Sequence, residues 1–167
     1  DGQRVVFEKS GGVWSSDSDV VLKLVQSGST WLLTDSDKTV ETYDSSGVLQ
    51  SIAFRDGYTQ TLTYTSGKLT TVADNLGRSI TLTYNGDGLV DTVTDPNGEV
   101  YSYAYVNAFT STAPTKILST VTYPDSTPSP TDNPVITYHY EDTALPTYLT
   151  GITDERGNRF ATWAYDS

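Results

Sequence analysis

The stretch DNLGRSITLTYNGDGLVDTVTDPNGEVYSYAY, residues 74–105, contains one pattern twice. Each copy begins with an Asp and a Gly three residues later, as in Asp74 and Gly77. This spacing is typical of a type I turn, because the carboxylate accepts local backbone N–H bonds and Gly readily adopts a positive φ. After the turn, Ile80, Leu82 and Tyr84 alternate with threonines. A period of two that is rich in Thr, Tyr and Val predicts a half-buried strand.

Tyrosines mark a repeat over a longer part of the chain. They are separated by 21, 20 and 21 residues, at Tyr43, Tyr64, Tyr84 and Tyr105. Each of the first three opens a phrase of Tyr, a short polar turn, Gly and an apolar residue, with glycines at Gly47, Gly67 and Gly88. Asp-x-x-Gly phrases lie half a period later, at Asp74 and Gly77, Asp95 and Gly98, and Asp154 and Gly157. Two turns per period, built from different residues, predict two strands per period.

The repeat divides the chain into two parts. Residues 39–167 hold the repeats, with lengthened turns expected near 106–116, 124–134 and 141–148, where six of the seven prolines lie in or beside the insertions. Residues 1–38 lack the Tyr and Asp markers and are interpreted as a degenerate lead-in β segment, as at the capping end of a repeat array. We therefore expect an all-β chain of about 14 strands. Its antiparallel hairpins would form a curved strip or open solenoid.

The strand that follows each Tyr phrase is less regular. Leu69 and Val72 lie three residues apart, so they cannot share one face of a flat strand. A β-bulge or a strong local twist near the Asp turn would bring both onto the same face.

Composition narrows the classes of partner and chemistry. There are 10 Lys and Arg against 21 Asp and Glu, a net charge of −11, and the basic residues are scattered. Without a basic patch, nucleic acid and anionic membrane surfaces are poor partners. The chain has no Cys and no apolar run of about 18 residues, which excludes disulfides, Cys-ligated metals and a membrane-spanning helix. The expected core is thin and rich in tyrosine.

The alternation of these phrases resembles the YD-repeat family, also called the rearrangement hotspot or Rhs family, to which the teneurin shells of animals are related. The resemblance covers about residues 39–167, and the closing LTGITDERGNRFATWAYDS is especially similar to the repeat of bacterial members. It implies a β-strip wound into a hollow shell. In bacterial members, which are exported, secreted or carried on the cell surface, the shell encloses a C-terminal toxin; in teneurins it supports cell adhesion. The chain would then be a wall segment, with the remainder of a larger parent chain as its partner.

Three groups of residues are candidates for chemistry. The recurring carboxylates could form a calcium ladder, but a Ca²⁺ site needs six or more converging oxygens, and turn closure accounts for them better. The aromatic residues could bind glycans or another cell-surface partner, although their alternation with small polar residues favours packing with each hydroxyl on a backbone partner or at the rim. His139 is expected to be a strand residue facing away from Tyr138 and Tyr140. No catalytic, cofactor-binding or metal-binding residue is predicted, and the chain is not expected to be an enzyme.

The ends of an open sheet carry unpaired backbone groups, which pair readily with other strands. We therefore expect edge-to-edge self-association of the isolated chain.

Overall fold

The computed structural model describes residues 4–109, 114–125 and 133–166. These residues form strands and turns without a helix, and every strand pair is antiparallel. The fifteen strands are β1 Glu8–Ser10, β2 Val13–Ser15, β3 Lys23–Ser27, β4 Thr30–Thr34, β5 Val40–Tyr43, β6 Leu49–Ala53, β7 Thr59–Thr65, β8 Lys68–Asp74, β9 Ser79–Tyr84, β10 Val90–Thr94, β11 Val100–Phe109, β12 Pro114–Thr122, β13 Val135–His139, β14 Gly151–Thr153 and β15 Arg159–Thr162. The prediction of an all-β chain of antiparallel hairpins is confirmed.

Strands β1 and β2 form a separate hairpin, and within each of the two compact units described next the other strands follow chain order in an open antiparallel arrangement. The chain divides into two compact units, Asp1–Ile80 and Thr81–Ser167, and the division falls inside β9. In the first unit, the strands pair in chain order, from β3 with β4 to β7 with β8. In the second unit, β9 to β15 do the same.

The three segments expected to be lengthened turns have different structures. In 106–109 and 114–116 the hairpin β11–β12 continues, and Val106 pairs with Ile117 and Ala108 with Thr115. Residues 110–113 lie outside the described residues, as do 126–132 of the second segment. The third segment, 141–148, lies between β13 and β14 and forms turns, one of them closed by the Asp142 carboxylate on the N–H groups of Ala144 and Leu145.

Each sheet face has its own residue types, because neighbours along a strand point to opposite sides. In the β7–β8 pair, Leu62 faces Val72, whereas Thr61 faces Ala73 and Thr63 faces Thr71. In this pair, one face is thus apolar and the other is rich in threonine.

Few side chains are fully buried. Among the described hydrophobic residues, only Ala108 and Val121 are buried, with 5% and 6% of their surface exposed. The expected thin core is therefore a layer of half-buried side chains on the sheet.

Candidate functional site

The repeated tyrosines lie beside β-bulges. Each Tyr marker pairs with the apolar residue that follows its turn: Tyr43 with Leu49, Tyr64 with Leu69, Tyr84 with Val90 and Tyr105 with Leu118. The next residue of the partner strand, such as Thr70 after Leu69, is left out of the ladder. This bulge returns Leu69 and Val72 to one face, as the sequence requires. It lies at the Tyr end of this hairpin, however, so the expected location near the Asp turn was wrong for β7–β8. In the β14–β15 pair, a register shift does lie beside the Asp154 turn, between Ile152 and Thr153.

The hydroxyls of these tyrosines bind the backbone of the preceding hairpin. The Tyr64 hydroxyl in β7 donates to the carbonyl of Leu49 in β6, and the Tyr105 hydroxyl in β11 donates to the carbonyl of Val90 in β10, both at 2.9 Å. Leu49 and Val90 each directly precede a bulged residue. The prediction that the hydroxyls reach backbone partners is confirmed for this pair. Each bond joins two successive hairpins at the point where the regular ladder is interrupted.

The other Tyr markers vary around this arrangement. Tyr43 donates its hydroxyl to the Glu41 carboxylate at 2.5 Å. Burial, together with this carboxylate, raises the pKa of Tyr43 to about 12. Tyr84 is half-buried. Tyr165, which the sequence did not mark, donates to the Leu149 carbonyl at 2.8 Å and so repeats the bond of Tyr64 and Tyr105.

The Asp-x-x-Gly turns are closed by the Asp carboxylate. In the first, Oδ1 of Asp74 accepts the N–H groups of Leu76 and Arg78, both at 2.9 Å. Gly77 then takes a φ of 85° and donates its N–H to the Asp74 carbonyl. Only glycine adopts this left-handed conformation at little cost. The turns with Asp95 and Gly98 and with Asp154 and Gly157 have the same bonds.

Two of the Tyr phrases use the same turn, which the sequence interpretation missed. Asp44 and Asn85 directly follow Tyr43 and Tyr84, and the Oδ1 of each accepts two backbone N–H groups. Gly47 and Gly88 occupy the position of Gly77. The Tyr64 phrase differs, because Ser66 and Gly67 form a two-residue turn with φ values of 52° and 76°. The sequence did contain a signal for this turn, namely an Asp or an Asn directly after the Tyr.

The carboxylates are engaged in turn closure and local ion pairs. Arg78 binds Oδ2 of Asp74 at 2.7 Å. Burial alone would raise the pKa of Asp74, but the N–H and guanidinium of Arg78 and the Leu76 N–H outweigh it, so the pKa lies below its ordinary value. Within the described residues, no three acidic or His side chains gather as metal ligands would.

A polar cluster near the C-terminal end of the sheet was not foreseen. Arg159 on β15 donates to both carboxylate oxygens of Glu141, at 2.7 and 2.8 Å, and to the Thr150 carbonyl at 3.0 Å. The guanidinium lies against Gly151, where a Cβ atom would overlap it. Hydrogen bonding to Arg159 lowers the pKa of Glu141. These residues lie up to 18 positions apart, so no local motif marks them.

His139 lies on β13 and pairs with Gly151, while Tyr138 pairs with Ile152. The two side chains therefore face opposite sides, as predicted. The His139 Nε2 lies 2.7 Å from the Thr153 hydroxyl, which gives the ring a structural partner.

The aromatic surface is exposed mainly around β15. Tyr84, Tyr103 and Tyr105 are half-buried. Phe160 is 63% exposed, and Tyr148 and Tyr165 meet edge to face with ring centroids 5.0 Å apart. Two shallow clefts accompany the described strands, one of about 340 Å³ beside Val106, Ala108 and Ile117, and one of about 480 Å³ beside β3.

The described residues include no helix with the length and apolar character of a membrane span. No curated protein matches the chain. Residues 65–100 match the family model described as RHS Repeat. This segment starts just after Tyr64 and contains the turns of Asp74, Asn85 and Asp95. The match confirms the resemblance to the YD-repeat family over residues 65–100.

Proposed function

We propose that the chain is a structural wall segment of a larger RHS-repeat protein and that it performs no catalysis itself. The observation that carries this proposal is the hydrogen bond from a Tyr marker to the carbonyl beside the preceding bulge. Through it, hairpin β5–β6 is joined to β7–β8, and hairpin β9–β10 to β11–β12. The most regular residues of the sequence thus serve to join hairpins laterally.

The Asp markers support the same role. Each forms one hairpin turn through its own carboxylate, and Asn85 replaces Asp in an equivalent turn without loss of either N–H bond. A carboxylate required for proton transfer would not be replaceable by an amide, because the amide does not titrate. The marker is therefore a turn-closing group.

The half-buried layer is also typical of a segment that needs neighbours. Most of its apolar side chains keep some exposure, and a sheet of this kind gains stability when further strands or a second layer cover it. In the proposed parent, the sheet continues from the free edge of β15. Enclosure of a toxin within the wall is the further step suggested by bacterial relatives of the family.

Electron cryomicroscopy of the intact parent protein tests this proposal. We expect the edge of β15 to be hydrogen-bonded to a following strand, with the Tyr-to-carbonyl bonds preserved. If the segment is instead a free-standing module with an unpaired β15, tethered by linkers, the proposed role as a wall segment is contradicted. A glycan array screened with the 167-residue chain gives the complementary result. Specific binding there, abolished by Trp163→Ala and Tyr148→Ala, would favour an adhesion module instead.

A further inference from the structure

The hairpin β1–β2 lies beside the terminal strand β3 of the first compact unit. Strand β3 pairs with β4 from Lys23 to Ser27 and with no other described strand. Strand β2 contacts β3 but not β4, and β1 contacts only β2. Within the described residues, no backbone hydrogen bond joins β2 to β3. The hairpin thus occupies the position of a further strand without continuing the ladder.

The two strands that could form the outer edge differ in how readily they would pair. Strand β3 has five residues, and two of them, Leu24 and Val25, are apolar. Strand β1 has only three residues, all exposed, and includes Glu8 and Lys9. Proteins prevent unwanted pairing with short edge strands and with charged side chains, lysine above all. The hairpin therefore replaces an edge that favours pairing with one that opposes it.

An aromatic contact anchors the hairpin. The Trp14 ring on β2 meets the Trp31 ring edge to face, with centroids 5.3 Å apart, and the Lys9 ammonium lies 5.4 Å from the Trp14 centroid. Since Trp31 belongs to β4, the Trp14 side chain reaches across β3 to the next strand. A hairpin of two strands is at best marginally stable alone in water. With three residues in each strand, β1–β2 should depend on this contact.

The rest of the contact between the hairpin and β3 is loose. A cleft of about 480 Å³ remains there, lined by Trp14 and Leu24 among others. The Trp14 Nε1 is shielded from solvent and has no hydrogen-bond partner among the described residues. A buried donor without an acceptor destabilises the arrangement that buries it. The anchor therefore depends on the apolar surface of the ring, which phenylalanine would also supply.

We propose that the hairpin β1–β2 is an edge cap, which keeps β3 from pairing with a strand of a second copy of this chain. While the Trp14 ring lies against Trp31, β2 occupies the place of the incoming strand. Release of the ring uncovers the backbone groups of β3. The terminal strand β15 differs, because it pairs only with β14 and its Phe160 is 63% exposed. The inference does not depend on the proposed wall role.

Light scattering over a concentration series tests the cap in the full 167-residue chain, with Phe160→Lys to block the β15 edge. We expect this background to stay monomeric. Adding Trp14→Ala should at least double the mass at the highest concentration, because β3 becomes free to pair. Adding Trp14→Phe should leave a monomer, because the ring contact is kept. Trp163→Ala in the same background is the matched control for loss of an indole and should also leave a monomer.

A second variant releases the hairpin without changing Trp14. Gly12 in the β1–β2 turn has a φ of 88° with open space around the missing side chain. A β-branched residue is a strong outlier at positive φ, so Gly12→Val should open the turn and cause the same association. In both release variants, Val25→Lys should restore the monomer, because a charge on an edge strand opposes pairing. The amides of β7 should stay protected from hydrogen exchange throughout.

Five results would overturn the proposal. Either release variant remains monomeric, or the Phe160→Lys background alone associates as strongly as the release variants. Trp14→Phe or Trp163→Ala associates as strongly as Trp14→Ala. Val25→Lys leaves the association unchanged, which would exclude β3 as the interface. Association is accompanied by loss of protection in β7, which would assign it to unfolding of the sheet.

Discussion

The Tyr105 hydroxyl donates a 2.9 Å hydrogen bond to the carbonyl of Val90, fifteen residues earlier, directly beside the bulged residue Asp91. Burial, followed by the nearby Tyr103 and Asp91, raises the pKa of Tyr105. The bond thus joins hairpin β9–β10 to hairpin β11–β12 in the second compact unit.

Replacing Tyr105 with Phe removes this bond while keeping the ring. We expect Tyr105→Phe to lower the free energy of unfolding by about 1–2 kcal/mol, because the Val90 carbonyl loses its partner. The matched control is Tyr103→Phe, two residues away on the same face, whose hydroxyl has no hydrogen bond to a described residue. Urea denaturation followed by circular dichroism measures both. Equal effects of the two variants would contradict the role of the Tyr105 hydroxyl.

The Gly markers are required where φ is positive. Gly77 has a φ of 85° with open space around the missing side chain, so Gly77→Ala should cost about 1–2 kcal/mol through backbone strain alone. Gly86 has equally open surroundings but no positive φ. Gly86→Ala is therefore expected to be neutral or to stabilise by up to about 1 kcal/mol. Thermal unfolding of both variants checks the difference, and a loss at Gly86 as large as at Gly77 would refute it.

We expect the turn that the Asp74 carboxylate closes to lose stability in acid. The pKa of Asp74 in the folded chain lies below the ordinary 3.8, so the unfolded chain takes up the proton first as the pH falls. Its contribution to stability is therefore complete above about pH 4 and is lost as the pH falls through the lowered folded value.

Asp74→Asn should retain the turn, as Asn85 does naturally, but lose the ion pair with Arg78. We expect the difference in urea midpoint between the native chain and this variant to be larger at pH 7 than at pH 2.5. Asp37→Asn in an exposed turn is the control and should show little difference at either pH. A native-minus-variant difference that does not change with pH would exclude the Asp74 carboxylate as the titrating group.

Because β15 has a free edge, we expect the isolated chain to self-associate. Phe160 on this short terminal strand is 63% exposed. We expect the mass measured by light scattering to rise with concentration and Phe160→Lys to suppress the rise, because a charge on an edge strand opposes pairing. Val21→Lys, at a residue 72% exposed but outside the strands, should leave it unchanged. A monomer at every concentration would rule out this prediction.

Local patterns predicted much of the fold. The Asp74-to-Gly77 spacing predicts its turn because every atom that closes it lies within five residues. The three-residue gap between Leu69 and Val72 predicts a bulge, since a strand alternates strictly. The gap does not give the position of the bulge, because an extra residue anywhere between Leu69 and Val72 would bring both side chains onto the same face. The register opposite Tyr64 decides it.

Contacts between distant segments were not predictable in this way. Glu141 and Arg159 lie in unrelated phrases and meet only because β13, β14 and β15 are neighbours. Gly151 would be interpreted as a flexible residue, whereas it makes room for the Arg159 guanidinium. The cleft beside Trp14 likewise depends on where hairpin β1–β2 folds relative to β3, which no repeat marker encodes.

Amide hydrogen exchange of β15 tests the wall role most directly. The backbone amides of Arg159–Thr162 are measured in the isolated chain, at a concentration where it is monomeric, and in the intact parent protein. We predict that the outward-facing amides exchange rapidly in the isolated chain and at least a hundredfold more slowly in the parent, because a following strand pairs with them. The amides of the interior strand β7 serve as the reference and should be protected in both. Equally rapid exchange of the β15 amides in both samples would contradict the wall.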